Sequence, residues 1–138
     1  MKRPQELTYV ILTAFFGLMT CLTACKKERA FVGIWRAESE REQTTDIHNV
    51  FIFGDMTCSW QDSILNRTDS TWSFGQMDGP AVLEGNEVLN ASFSKKVPVA
   101  DTERDTTLFF QYTFRKTDHR QLYCEELAIH FKWVKRLR

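Results

Sequence analysis

From Phe31 onward the chain alternates apolar with polar residues at a period of two, and turn residues break the alternation roughly every eight to twelve positions. A pattern of this kind belongs to half-buried antiparallel strands, because successive side chains on a strand point to opposite faces. Gly33 to Glu40 is the first such strand, with Trp35 and Ala37 on one face and Arg36, Glu38 and Glu40 on the other. Residues 48 to 53 and 56 to 61 flank Gly54-Asp55, a dipeptide suited to a two-residue hairpin. That loop pairs Phe53 with Met56, Phe51 with Cys58 and Asn49 with Trp60, and leaves His48, Thr57, Ser59 and Gln61 on the outer face.

Further along, Thr71 to Phe74 reads as a short strand with Trp72 and Phe74 on one face, after the polar turn Asn66-Arg67-Thr68-Asp69. Met77-Asp78-Gly79-Pro80 reads as another turn. Gly85-Asn86 then joins residues 80 to 84 to residues 87 to 93, although a two-residue loop there sets Glu84 opposite Glu87, and facing like charges are unfavourable. Residues 94 to 105 form one long loop. Leu108, Phe110, Tyr112 and Phe114 alternate inward, and a three-residue loop at Lys116 to Asp118 sets Tyr112 opposite Leu122 and Phe110 opposite Cys124. Ile129, Phe131 and Trp133 alternate against His130, Lys132 and Val134, which favours a strand over a C-terminal helix. The sum is about eight short antiparallel strands, the number at which an up-and-down barrel closes around a packed interior or one small ligand. Closure also removes exposed sheet edges.

The N-terminus has a different character. Lys2 and Arg3 precede an apolar or small run from Leu7 to Ala24, which ends at Leu22-Thr23-Ala24-Cys25 before Lys26-Lys27-Glu28-Arg29. The tetrapeptide resembles the lipobox of bacterial lipoproteins. That resemblance implies a signal peptide over residues 1 to 24, a lipidated Cys25, and a tether over residues 25 to 30 ahead of the barrel domain at 31 to 138. It implies a cell-envelope protein held to a membrane by its acyl chains, two or more being needed for stable anchoring. Lys26 in place of an aspartate after the cysteine implies the outer membrane. Gly33-Ile34-Trp35 at the head of the first strand gives a second resemblance, to the lipocalin-like lipoproteins of the calycin group. There the tryptophan after a Gly-x-Trp opening plugs the closed end of the barrel, and a basic residue near the last strand packs on its ring. Gly33 and Trp35 match those positions, and Arg136 or Arg138 is placed to supply the cation.

Charge narrows the choice of partner. The chain has 18 basic and 18 acidic residues. Loss of Lys2, Arg3 and Glu6 with the signal brings these to 16 and 17, so no field of either sign favours nucleic acid. On the strand faces above, twelve rings point inward: Trp35, Phe51, Phe53, Trp60, Trp72, Phe74, Phe93, Phe110, Tyr112, Phe114, Phe131 and Trp133. They either fill the core or line a pocket for a small apolar ligand, with Trp60, Trp72, Phe110 and Tyr112 as its contacts. Cys58 and Cys124 both face inward in an oxidising compartment. A disulfide between them would stabilise the fold by about 4 kcal/mol on the chain-entropy estimate; two buried free thiols are the alternative.

Support for catalysis is thin. Asp46 and His48 share a strand face, as a metal or acid-base pair does, yet spacing places no third ligand or nucleophile beside them. Asp118-His119 falls in a turn and His130 alternates outward, so all three histidines read as surface residues. The expectation is therefore a non-enzymatic, cofactor-free and metal-free barrel, tethered to the membrane, that binds a small apolar ligand or cell-envelope component. The other class open to it is a protein-interaction module, an accessory subunit or inhibitor, with a filled core.

Overall fold

The computed structural model describes residues 29 to 100 and 103 to 137. The signal peptide, Cys25, the tether from Lys26 to Glu28, and Arg138 lie outside the described residues. The chain divides into two compact units, Met1–Phe31 and Val32–Arg138, and all eight strands belong to the second.

The strands are β1 (Gly33–Glu40), β2 (Thr44–Ile52), β3 (Thr57–Asn66), β4 (Thr71–Glu84), β5 (Val88–Pro98), β6 (Asp105–Asp118), β7 (Gln121–Cys124) and β8 (Ile129–Lys135). Each pairs antiparallel with the next, and β8 returns to β1, giving a closed up-and-down barrel. Every ladder partner of every strand lies between Gly33 and Lys135, so a chain starting at Lys26 contains the whole ring.

The interior is packed from the end where β1 begins. Trp35, Trp60, Phe93, Phe114 and Phe131 are buried, with Val50, Ile52, Leu89 and Leu122 between them. Trp60 stands at the hub, its ring centroid 5.4 Å from Phe131, 6.1 Å from Phe93 and 6.2 Å from Phe114. Trp35 meets the edge of Trp133 at 5.0 Å. Gly33 makes room for that contact, since a Cβ there would run into the Trp133 ring and the Lys135 carbonyl. The two conspicuous residues of the Gly-x-Trp segment thus serve one contact, a space and the ring beside it. Arg136 is exposed beyond the end of β8.

Register departs from expectation in instructive ways. The β2–β3 connection holds three residues between Phe53 and Thr57, not two. Met56 N–H donates to the Phe53 carbonyl, and Met56 itself has φ 61°, the tight turn followed by a left-handed residue that three-residue hairpins use. Asp55 holds the turn by accepting from the Thr57 N–H and hydroxyl. Its carboxyl pKa is lowered by those bonds, the hydroxyl's first. Ile52 therefore opposes Cys58 and Val50 opposes Trp60, and all of β2 is turned over. Phe51 leaves the core and Phe53 is 37% exposed, while Asp46 and His48 come inside.

The Gly85-Asn86 hairpin likewise closes one residue longer. Glu84 opposes Val88, and the clash with Glu87 disappears; Glu84 instead accepts from the Asn90 amide at 2.9 Å. β4 runs unbroken through the expected turn at Met77 to Pro80, because Gly79 lets the backbone lie directly on Ser92. Its alternation places Met77 and Ala81 inside and Trp72 and Phe74 outside. The long loop shrinks to residues 99 to 104 as β5 and β6 extend. At β6–β7 the register moves by four, so Phe114 opposes Cys124 and Lys116 opposes Leu122.

Cys58 and Cys124 are buried free thiols, which overturns the disulfide. β3 and β7 stand four strands apart in a ring of eight, with the Trp60 cluster between the walls. A disulfide needs Cα atoms within about 7 Å. Burial, and for Cys58 the charge of Asp55, raises its pKa to about 12. Burial above all raises that of Cys124 to about 11.

Candidate functional site

At the end of the barrel away from the start of β1, apolar packing gives way to polar side chains on the same inner face. In register, Ala37 opposes His48, His48 opposes Asp62, and Asp62 opposes Gly75. His48 Nδ1–H donates to Asp62 Oδ1 at 2.6 Å, and the same oxygen accepts from the Trp60 indole N–H. These two hydrogen bonds fix the carboxylate, and among the described residues His48 Nε2 has no hydrogen-bond partner. Gly75 opens a space on this face, bordered by the Lys95 ammonium 3.4 Å from where a Cβ would stand and by Asp62 at 3.9 Å. Asp46, 5% exposed, is matched by Arg41 at 3.2 Å.

Three of the four residues expected to touch ligand gather here. Tyr112 lies 5.1 Å from Trp60 and 5.9 Å from Phe93, and Phe110 stacks on it at 6.4 Å and 11°. Burial first, then the charges of Cys124, Asp62 and Glu126, push the Tyr112 hydroxyl pKa up, so the phenol stays protonated at neutral pH. Among the described residues, neither that hydroxyl nor the Lys95 ammonium has a hydrogen-bonding or ionic partner. Leu108 and Ile64, 44% and 36% exposed, form an apolar rim. The result is a cup: an aromatic floor of Trp60, Tyr112 and Phe110, a partly apolar rim, and donors and acceptors on its wall.

Trp72 does not join them. It lies on the outer wall, 47% exposed, with its ring nearly parallel to that of Phe74 at 6.2 Å. Asp46 and His48 do not form a pair with each other, since His48 is bonded to Asp62 on the neighbouring strand and Asp46 to Arg41. Asp62, Lys95 and Gly75 escaped sequence reasoning. The available signal was positional, since Asp62 lies two residues after Trp60 and must share its face. His119 sits exposed in the β6–β7 turn beside Asp118, and His130 is exposed on the outer wall against Tyr123 at 4.7 Å. Among the described residues no group of three metal-ligating side chains is positioned to hold an ion.

The fold and site define an all-β closed barrel of eight strands with a polar-walled aromatic cup at one end. No protein-family model, curated protein or solved structure matches the chain.

Proposed function

We propose that the protein is a non-catalytic, lipocalin-like barrel, tethered to the bacterial outer membrane through a lipidated Cys25, that holds a small apolar ligand or cell-envelope component in the cup. The observation that carries this reading is the floor itself. The interior ring stack ends in Tyr112 and Phe110, which are only half-buried, next to hydrogen-bonding groups that have no partner among the described residues. Half-covered rings beside a few polar groups are the usual composition of a small-molecule site. The packed interior below it limits the ligand to one that sits at the mouth, with no room for a long chain threaded through the barrel.

N-phenyl-1-naphthylamine, a neutral apolar dye that brightens on leaving water, tests the cup in the chain from Lys26. Saturable one-to-one binding is expected. Tyr112→Ala or Phe110→Ala should weaken it about tenfold or more, and Trp72→Ala should leave it unchanged. Binding that fails to saturate, or that is lost only with Trp72, overturns the reading. The anchor is tested separately: Cys25→Ser should leave the protein unprocessed or free of membranes, and a lipid-labelled, membrane-bound Cys25→Ser product overturns that part.

A further inference from the structure

The outer wall of β1 to β4 has an organisation that the cup does not use. Arg36 opposes Asn49, Asn49 opposes Gln61, and Gln61 opposes Gln76. Four planar hydrogen-bonding groups thus cross four neighbouring strands in one row, spanning about 14 Å at the roughly 4.8 Å spacing of paired strands. Alongside run Ile47, Ser63 and Phe74 in the next row, and Thr45, Leu65 and Trp72 in the one after. Phe74 stands as a ridge between two shallow grooves of about 290 and 270 Å³, one bordered by Arg36, Asn49 and Trp72 and the other by Gln61 and Gln76.

The two rings lie at 12° to one another with centroids 6.2 Å apart. Centroids at this distance belong to an offset stacked pair, and the pair as a whole stands open to solvent, Trp72 being 47% exposed. Phe74 is 76% exposed. The wall has no excess of positive charge, since the one cation of the row, Arg36, shares the outer face with the carboxylates of Glu38 and Asp78; Arg36 Nε donates to Asn49 at 2.8 Å, and Gln76 donates to Asp78.

We propose that this wall is a second binding site, for a neutral oligosaccharide or polysaccharide chain. A pyranose offers an apolar C–H face, which lies on an aromatic ring, and pairs of hydroxyls at its edge, which planar amides and guanidinium groups bridge with paired donors and acceptors. The wall supplies both in adjacent rows, over a length suited to a short run of sugars. A nucleic acid or an anionic glycan would need several cations, and the row holds one, Arg36. A protein hot spot would surround its aromatic anchors with apolar, water-excluding contacts, whereas the polar row of Arg36, Asn49, Gln61 and Gln76 runs along one whole side of Phe74.

Native electrophoresis of the chain from Lys26, through gels carrying laminarin, xylan, galactomannan or dextran, decides the matter. Retardation in at least one of these neutral gels is expected. Trp72→Ala and Phe74→Ala should each weaken it about tenfold, Phe74→Tyr should retain it, and Gln61→Ala with Gln76→Ala should weaken it severalfold, all with unaltered melting. Migration unaffected by all four polysaccharides overturns the proposal. So does equal retardation of the Trp72→Ala, Phe74→Ala double variant, retardation by dextran sulfate alone, or a doubled mass in solution that Phe74→Ala reverses. Dye binding in the cup is read independently, so either site can fail without the other.

Discussion

The two ends of the barrel are built by the same alternation and do opposite things with it. Where β1 begins, the inner face carries Trp35, Phe131 and Leu122, all at 0% exposure, and even a glycine is placed to accept a ring. At the other end the inner face carries His48, Asp62 and Lys95 beside half-covered aromatic rings. One end spends its side chains on each other. The other leaves hydrogen-bonding capacity and apolar surface together at the mouth, a costly arrangement for stability and a useful one for recognition.

Substitutions measured on the chain from Lys26 can break that contrast. Trp35→Ala should cost about 3 to 5 kcal/mol and lower the melting temperature by roughly 10 to 20 °C; a parent-like melt would mean the first end is not the stabilising one. Gly33→Ala should cost about 1 to 3 kcal/mol by overpacking against Trp133, and the cost should shrink in a Trp133→Leu background. At the other end, Asp62→Ala strands the Trp60 N–H and His48 together, so a loss of about 1 to 3 kcal/mol is expected in a denaturant titration.

The thiols give a pH test of interior packing. Their folded pKa values, about 12 for Cys58 and about 11 for Cys124, lie above the ordinary thiol value of 9.0. The unfolded state therefore loses these protons first. The stabilisation is complete below about pH 9 and disappears as pH rises through 11 and 12. Alkaline melts should show this loss, and it should be shallower in the Cys58→Ala, Cys124→Ala variant. N-ethylmaleimide should label neither thiol in the native protein at neutral pH. Phe109→Ser, on an outer-wall residue 78% exposed, should stay within about 0.5 kcal/mol of the parent.

What the sequence disclosed, and what it hid, turns on odd and even steps. Eight strands, closure, and the inward faces of β1, β3 and β5 to β8 were legible, because apolar alternation reports the face directly. The β6–β7 register was wrong by four, yet Phe114, Leu122 and Cys124 remained inside, since an even slip preserves the face. The β2–β3 hairpin was wrong by one, and that single residue exchanged Phe51 and Phe53 for Asp46 and His48. Gly54-Asp55 favoured the shorter loop on local grounds, whereas the turn that forms places Met56, an unbranched non-glycine, at positive φ. For the same reason the cup's polar wall stayed hidden. In β4, the aromatic pair Trp72 and Phe74 looked like core by composition, and only the uninterrupted phase from Met77 and Ala81 shows that they face out.

The seam between β1 and β8 also governs how the molecule comes into being. Trp35 waits for Trp133, a partner from the far end of the barrel sequence, and the ring cannot close until the last strand arrives. Seven hairpin connections are local and fast, but this final pairing carries the entropy of a loop nearly as long as the domain. Until then β1 offers one open edge and a bare indole to any neighbouring chain. Removal of β8 should therefore leave an open, adhesive sheet, making the last dozen or so residues the element that decides between a finished barrel and an aggregate.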